Sequence, residues 1–219
     1  MTASSQDETG TRRAAAAGNA GSRRSESLSR PLPTMGMPIQ AGLTSDQLTI
    51  GVAVEVPDPL GPELQQWRAE FGDPSADLIP AHVTLLPPTA VPADQLADIE
   101  AHLSKVAAAT VPFELRLFGT DTFRPVSPVV YLRVVDGVEA CDDLQRRIRT
   151  GPLTRELSFP YHPHVTVAHE LDGPALDHAQ DTLTQFSAQF RVGSVGLYEQ
   201  SNGGRWQYRE RFAFGVGPA

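Results

Sequence analysis

One short pattern occurs twice in this chain, and it constrains the fold more than any other feature. The first copy is Pro80-Ala81-His82-Val83-Thr84-Leu85-Leu86 and the second is His162-Pro163-His164-Val165-Thr166-Val167-Ala168. Each places a histidine, an apolar residue, a threonine and another apolar residue in succession. Side chains of a strand alternate faces. His82 and Thr84 therefore share one face while Val83 and Leu85 share the other, and His164 with Thr166 repeats the arrangement against Val165 and Val167. At about 3.3 Å per residue, each His–Thr pair spans roughly 6–7 Å along its strand. That gap suits two groups holding different atoms of one small anion, a hydroxyl donating to a phosphate oxygen while an imidazole moves a proton.

The segments around the two copies follow a matching order. A β-branched run at 48–56 reads as a strand, and Leu64, Trp67 and Phe71 give an amphipathic helix over 62–71 with Pro62 in its first turn. The first His–Thr strand is expected at 79–86, closed by Pro87-Pro88. A second helix begins at Pro92, with Leu96, Ile99, Leu103 and Val106 on one stripe. Strands are expected at 111–118 and 129–135, separated by the loop 119–125 with Phe123 and Arg124. A helix over 137–150 buries Val138, Cys141, Leu144 and Ile148. The second His–Thr strand covers 163–169, and a helix runs over 174–186. Strands at 190–199 and 206–214 flank the turn Asn202-Gly203-Gly204, a hairpin signal. With the two motifs 82 residues apart, the expected fold is α+β: two pseudo-symmetric lobes of antiparallel sheet with flanking helices around a central cleft.

Composition narrows the function. Of 219 residues, 40% are apolar, enough for one sizeable domain. Residues 1–42 are rich in Ala, Ser, Gly and Arg and are expected to form a disordered tail ahead of a domain over 43–219. Met35 and Met37 stand just before that domain as alternative starts. The N-terminus has no apolar signal core, Asp7 and Glu8 argue against a transit peptide, and no apolar run approaches 18 residues. The lone Cys141 excludes an internal disulfide and fits a reducing, cytoplasmic setting. Net charge is −8, and the first 40 residues carry a small positive excess, so the body is more acidic still. Such a body does not hold a long polyanion on a broad basic surface. A nucleic-acid contact should be local, at an end or on a small fragment.

The paired His82-Val83-Thr84-Leu85 and His164-Val165-Thr166-Val167, with Tyr161-His162-Pro163-His164 around the second, resemble the 2H phosphoesterase superfamily, which includes the 2′-5′ RNA ligases and the RNA 2′,3′-cyclic phosphodiesterases. The resemblance covers roughly residues 48–214. It implies two lobes that each contribute one His and one Thr to a cleft floor. It also implies opening of a 2′,3′-cyclic phosphate on an RNA end or a small nucleotide, commonly leaving a 2′-phosphate. His82 and His164 would be the acid–base pair, one neutral and one protonated near neutral pH, because an unperturbed imidazole titrates near 6.5. Thr84 and Thr166 would hold the non-bridging oxygens. The scheme calls for no metal and no cofactor, and nothing in the sequence calls for a protein partner or a membrane.

Phe123 and Tyr161 are candidates to stack on a base, and Arg124 to pair with a phosphate. Other readings stay open. His82, His162, His164 and His169 could form a zinc site, although no carboxylate or cysteine stands at ligand spacing. The His162-x-His164 segment is similar to the histidine-triad hydrolases, but Thr166 occupies the third position. A 2′-5′ ligase, or a non-catalytic RNA-binding module of the same fold, would carry the same motifs. His102 and His178 lie in helices and read as structural.

Overall fold

The computed structural model describes residues 46–201 and 203–215. The expected tail therefore lies outside the described residues, as does Asn202 of the turn. Eight strands form one antiparallel sheet: β1 Gln47–Glu55, β2 His82–Pro92, β3 Phe113–Thr122, β4 Val129–Asp136, β5 His164–His169, β6 Ser187–Val192, β7 Ser194–Gln200 and β8 Trp206–Ala213. Four helices accompany them: α1 Leu60–Phe71, α2 Leu96–Ala108, α3 Val138–Ile148 and α4 Gly173–Thr182. The sheet order is β6-β3-β4-β5-β2-β1-β7-β8. It divides at its centre into two four-stranded halves, which meet where Val83 of β2 pairs with Val165 of β5. This is the expected α+β architecture of two lobes.

The lobes are interleaved along the chain. Strands from both ends of the described residues, β1, β2, β7 and β8, build one lobe, while β3 to β6 build the other. The helices cross between them. α1 follows β1 yet packs with α4 against the β3–β6 half, and α3 follows β4 yet packs with α2 against the β1–β2–β7–β8 half. Val83, Leu85, Val165 and Val167 all lie in the core beneath these helices, with Leu64, Ile99, Leu103, Cys141, Leu144, Ile148 and Leu176. The odd-numbered apolar residues of both motifs thus anchor the helical side, and the His–Thr face is left for the cleft.

Three expectations are corrected. The strand expected at 190–199 is two strands. Gly193 ends β6, which pairs with β3, and opens β7, which pairs with β1 on the far side of the molecule. The change of partner shows in the sequence only as a shift of the core positions across Gly193, from Phe190 and Val192 to Val195 and Leu197, in one core that both strands share. Secondly, β2 does not stop at Pro87-Pro88 but continues to Pro92. Those prolines fall in the irregularity between the Ile50–Thr89 and Val52–Leu86 pairs, where no ladder N–H is required. Thirdly, β3 runs on through Gly119 to Thr122, so half of the expected loop 119–125 is strand. Gly119 supports this extension through its positive φ of 63° at a break in the β3–β4 register.

The remaining elements match their sequence signals within a few residues. Gly72 closes α1 in the left-handed conformation. The Asp172 carboxylate accepts from the Ala175 N–H and caps α4. Val138, expected on the buried stripe of α3, is 39% exposed at the helix start, while Cys141, Leu144 and Ile148 are fully buried.

Candidate active site

The single pair Val83–Val165 sets the geometry of the cleft floor. Because β2 and β5 are antiparallel there, His82 lies beside Thr166 and Thr84 beside His164. The two histidines occupy one diagonal and the two threonines the other, with the pseudo-twofold axis between the valines. Diagonal side-chain origins across an antiparallel pair stand about 7–8 Å apart. Imidazoles leaning inward from that separation can reach opposite sides of one phosphorus. All four side chains are half-buried, as expected for groups lining an open cleft.

Both imidazoles are fixed in the same way. Nδ1 of His82 bonds the Pro80 carbonyl at 2.7 Å, and Nδ1 of His164 bonds the His162 carbonyl at 2.7 Å. A carbonyl only accepts, so each Nδ1 carries the proton and each Nε2 is left to the cleft. Among the described residues neither Nε2 makes a hydrogen bond. Burial lowers the His82 pKa to about 4, against the opposing hydrogen bond to Pro80 and with a further push from Arg68. Burial likewise lowers His164 to about 4, opposed by its bond to His162 and aided by the nearby His162 and His82 rings. Both are neutral near pH 7, because partial removal from water penalises the cation.

Beneath His82, the Arg68 guanidinium donates to Asp73 at 3.0 Å and to the Ile79 carbonyl at 3.0 Å. Both members of this pair are almost wholly buried. It fixes the turn leading into Pro80, whose carbonyl orients the ring.

The structure separates the three rim candidates. Phe123 stays at the cleft, edge-on to His164 with ring centres 4.9 Å apart and against Tyr131 at 4.3 Å. With Thr84, Leu85 and Pro87 it walls a narrow, mainly apolar pocket beside His164, completed by residues 157–162. Tyr161 is not a free stacking surface. It packs against the core and its hydroxyl donates to the Thr84 carbonyl at 3.0 Å, tying the segment before β5 to β2. Arg124 is drawn away to α4, where it pairs with Asp177 at 2.7 Å and donates to Gln180 at 2.9 Å. Its cation is already engaged.

Two neighbours escaped the sequence reading. Arg133 pairs in register with His164, and Glu55 with His82. Their positions on flanking strands at even spacing were visible, but which strands flank the motifs was not.

The four-histidine set does not assemble. His169 is 3% exposed, next to Glu170 and within the influence of Asp73 and Arg68. Among the described residues no group of three or more His, Cys, Asp or Glu is placed to hold a metal ion. His102 bonds the Ile148 carbonyl at 3.0 Å, and His178 packs edge-on to Phe71, both structural contacts. Cys141 is fully buried, and burial pushes its thiol up to about 12. No helix of the described residues is long and apolar enough to cross a membrane.

Comparison with known proteins agrees with this arrangement. A protein of Halalkalibacterium halodurans whose name assigns it provisionally to the phosphoesterases is 28% identical over 173 residues, covering 77% of this chain and 98% of its own. A relative of the same designation from Bacillus cytotoxicus is 30% identical over 149 residues, covering 66% and 85%. The crystal structure of E. coli LigT in its apo form superposes with a TM-score of 0.58 at 22% identity, covering 78% of this chain and 99% of that one. TT0787 of Thermus thermophilus gives 0.59 at 22% identity, covering 77% and 98%. These likenesses support the fold, and the family model of the 2′-5′ RNA ligase superfamily matches residues 56–204, spanning both His–Thr strands. On its sequence and its fold, this chain belongs to the 2′-5′ RNA ligase superfamily, the 2H phosphoesterases.

Proposed function

We propose that this chain is a metal-independent phosphodiesterase that hydrolyses 2′,3′-cyclic phosphates on RNA ends or small nucleotides. The reading rests on one observation. Two imidazoles, each pinned through Nδ1 to the carbonyl two residues earlier, lie on one diagonal of the Val83–Val165 pair, near enough for the His82 ring to bear on the charge of His164, with a threonine beside each.

The reaction needs two proton transfers. One neutral Nε2 takes a proton from water as the water oxygen bonds phosphorus. The other, protonated, Nε2 gives its proton to the sugar oxygen as the P–O bond to it breaks. The product is an acyclic phosphomonoester, a 2′-phosphate if the 3′ oxygen leaves. Thr84 and Thr166 donate to the two non-bridging oxygens, where charge grows in the transition state. The bound phosphodiester anion supplies the protonated imidazole, because a negative charge in contact raises the depressed pKa. Phe123 offers an apolar edge for the base beside His164. E. coli LigT has been crystallised with phosphate and with 3′-AMP, ligands of the class this cleft would take.

The test is a panel of nucleoside 2′,3′-cyclic phosphates, cyclic-phosphate RNA ends, 2′-5′ oligonucleotides and ADP-ribose cyclic phosphate, assayed with EDTA present. Turnover of a cyclic phosphate by the wild type, lost in folded His82→Ala, is the expected result. Unchanged turnover in that variant, or loss of activity in EDTA, would overturn the scheme. Joining of RNA ends in the same panel would identify ligation as the activity of this site.

A further inference from the structure

Glu55, the cross-strand neighbour of His82, also lines a second cavity of about 500 Å³. This cavity lies where β1 ends, where the chain crosses from β6 to β7 at Gly193, and alongside β8. Its size falls in the range that accepts a nucleotide. Two cations line it, Arg191 and Arg211, together with the acids Glu55 and Asp58.

The cavity holds several uncommitted binding groups. The Arg191 side chain makes no hydrogen bond or ion pair among the described residues. Arg211 reaches Glu55 at only 3.5 Å, with both side chains widely exposed, a contact that an incoming anion can displace. Tyr208 lines the wall and is 50% exposed. It is held edge-on to Tyr198, ring centres 5.7 Å apart. Tyr198 is 2% exposed and its hydroxyl has no partner among the described residues. That hydroxyl lies over Gly196, itself part of the cavity wall, where any side chain would collide with the Tyr198 ring.

A free guanidinium, a loosely paired one and an open aromatic face, the last held in place by the buried Tyr198 ring, are the parts from which a phosphate and a base are gripped. We infer that this cavity is a second nucleotide subsite, taking the phosphate and base of the nucleotide that precedes the cyclic phosphate. The inference rests on the proposed activity and sharpens it: the substrate is the end of a short RNA, with at least one phosphate beyond the reacting one.

Binding separates this inference from the activity. Adenosine 3′,5′-bisphosphate and adenosine 3′-monophosphate differ only in the second phosphate, and neither has a cyclic phosphate to open. The wild type should bind the bisphosphate at least tenfold more tightly in a calorimetric titration. In Arg191→Gln/Arg211→Gln that ratio should fall toward one, with Arg191→Gln alone as a second variant at an exposed position. Equal wild-type affinities, or a ratio that survives both variants, would overturn the subsite. Turnover of cyclic phosphates, measured separately, decides the activity, so absence of turnover with an intact affinity ratio leaves the subsite standing and removes only the hydrolase.

Discussion

Binding a small anion in the cleft should draw a proton from solution. Burial holds His82 and His164 at about 4, so at pH 6 only about 1% of each ring is charged without an anion beside it. A unit anion about 4 Å from an imidazole contributes roughly 4 kcal/mol at an effective dielectric constant of 20. Raising a pKa from about 4 to about 7 requires about the same, at 1.36 kcal/mol for each pH unit. One ring therefore becomes protonated on binding. The second does not follow, because it would face the new like charge across the diagonal.

The expected uptake is about 0.9 proton at pH 6 and about 0.1 at pH 8, for a bound-state pKa near 7. Sulfate is a suitable probe because it has no titrating proton in this range. Titrating it calorimetrically in two buffers of different ionisation enthalpy gives the uptake from the difference in heats. The Arg191→Gln/Arg211→Gln background keeps binding in the second cavity out of the measurement. His82→Asn or His164→Asn alone should keep most of the uptake, because the remaining ring also starts at about 4 and meets the same anion, and only the double variant should abolish it. Sulfate that binds at pH 6 with no uptake would mean that the cleft cannot generate its own acid, and the two-histidine scheme would fail.

Other outcomes follow from the same geometry. Removing either imidazole, as His82→Ala or His164→Ala, should lower kcat by about 10²–10⁴-fold, with the double variant little worse than either single one because the pair acts as a unit; simple additivity in kcat would contradict a shared phosphorus. Thr84→Val and Thr166→Val should each cost kcat/KM about ten- to a hundredfold by removing one donor to the developing charge, and an unchanged value for both would remove the threonines from the site. Stability should depend on pH through the same rings. Their folded-state pKa of about 4 lies below the unfolded value of 6.5, so the unfolded chain binds more protons in between. This contribution is fully present above about pH 6.5 and is lost as pH falls toward 4, roughly 3 kcal/mol for each ring at most. Urea melts of His164→Asn should show a shallower decline over that window than the wild type, and parallel curves would refute the linkage. Tyr161→Phe deletes the hydroxyl that reaches the Thr84 carbonyl and should lower stability by about 1 kcal/mol in the same melts, whereas a neutral change would show that the latch contributes nothing.

The sequence reveals the chemistry of this cleft better than its construction, and the reason is the range over which each signal acts. A period of two is local, so it identifies His82, Thr84, His164 and Thr166 as one face and Val83 and Val165 as the other without knowledge of the fold. Strand pairing is not local. In the run Phe190 to Glu199 the core positions shift from Phe190 and Val192 to Val195 and Leu197 across Gly193, which marks a break in the strand but not that the chain there leaves one lobe for the other. The consequences reach the site. Glu55 and Arg133 stand beside the motif histidines only through the pairing of β1 with β2 and of β4 with β5, and Arg191 joins Glu55 and Arg211 in one cavity only because the chain crosses from β6 to β7 at Gly193. The reverse holds for Arg124 and Tyr161. Their residue types suit an RNA cleft, but Asp177 and Gln180 on α4 claim the guanidinium, and the Thr84 carbonyl claims the phenol. A motif fixes which atoms can react. The pairing of distant strands fixes what stands beside them, and so which end of which substrate reaches the reacting pair.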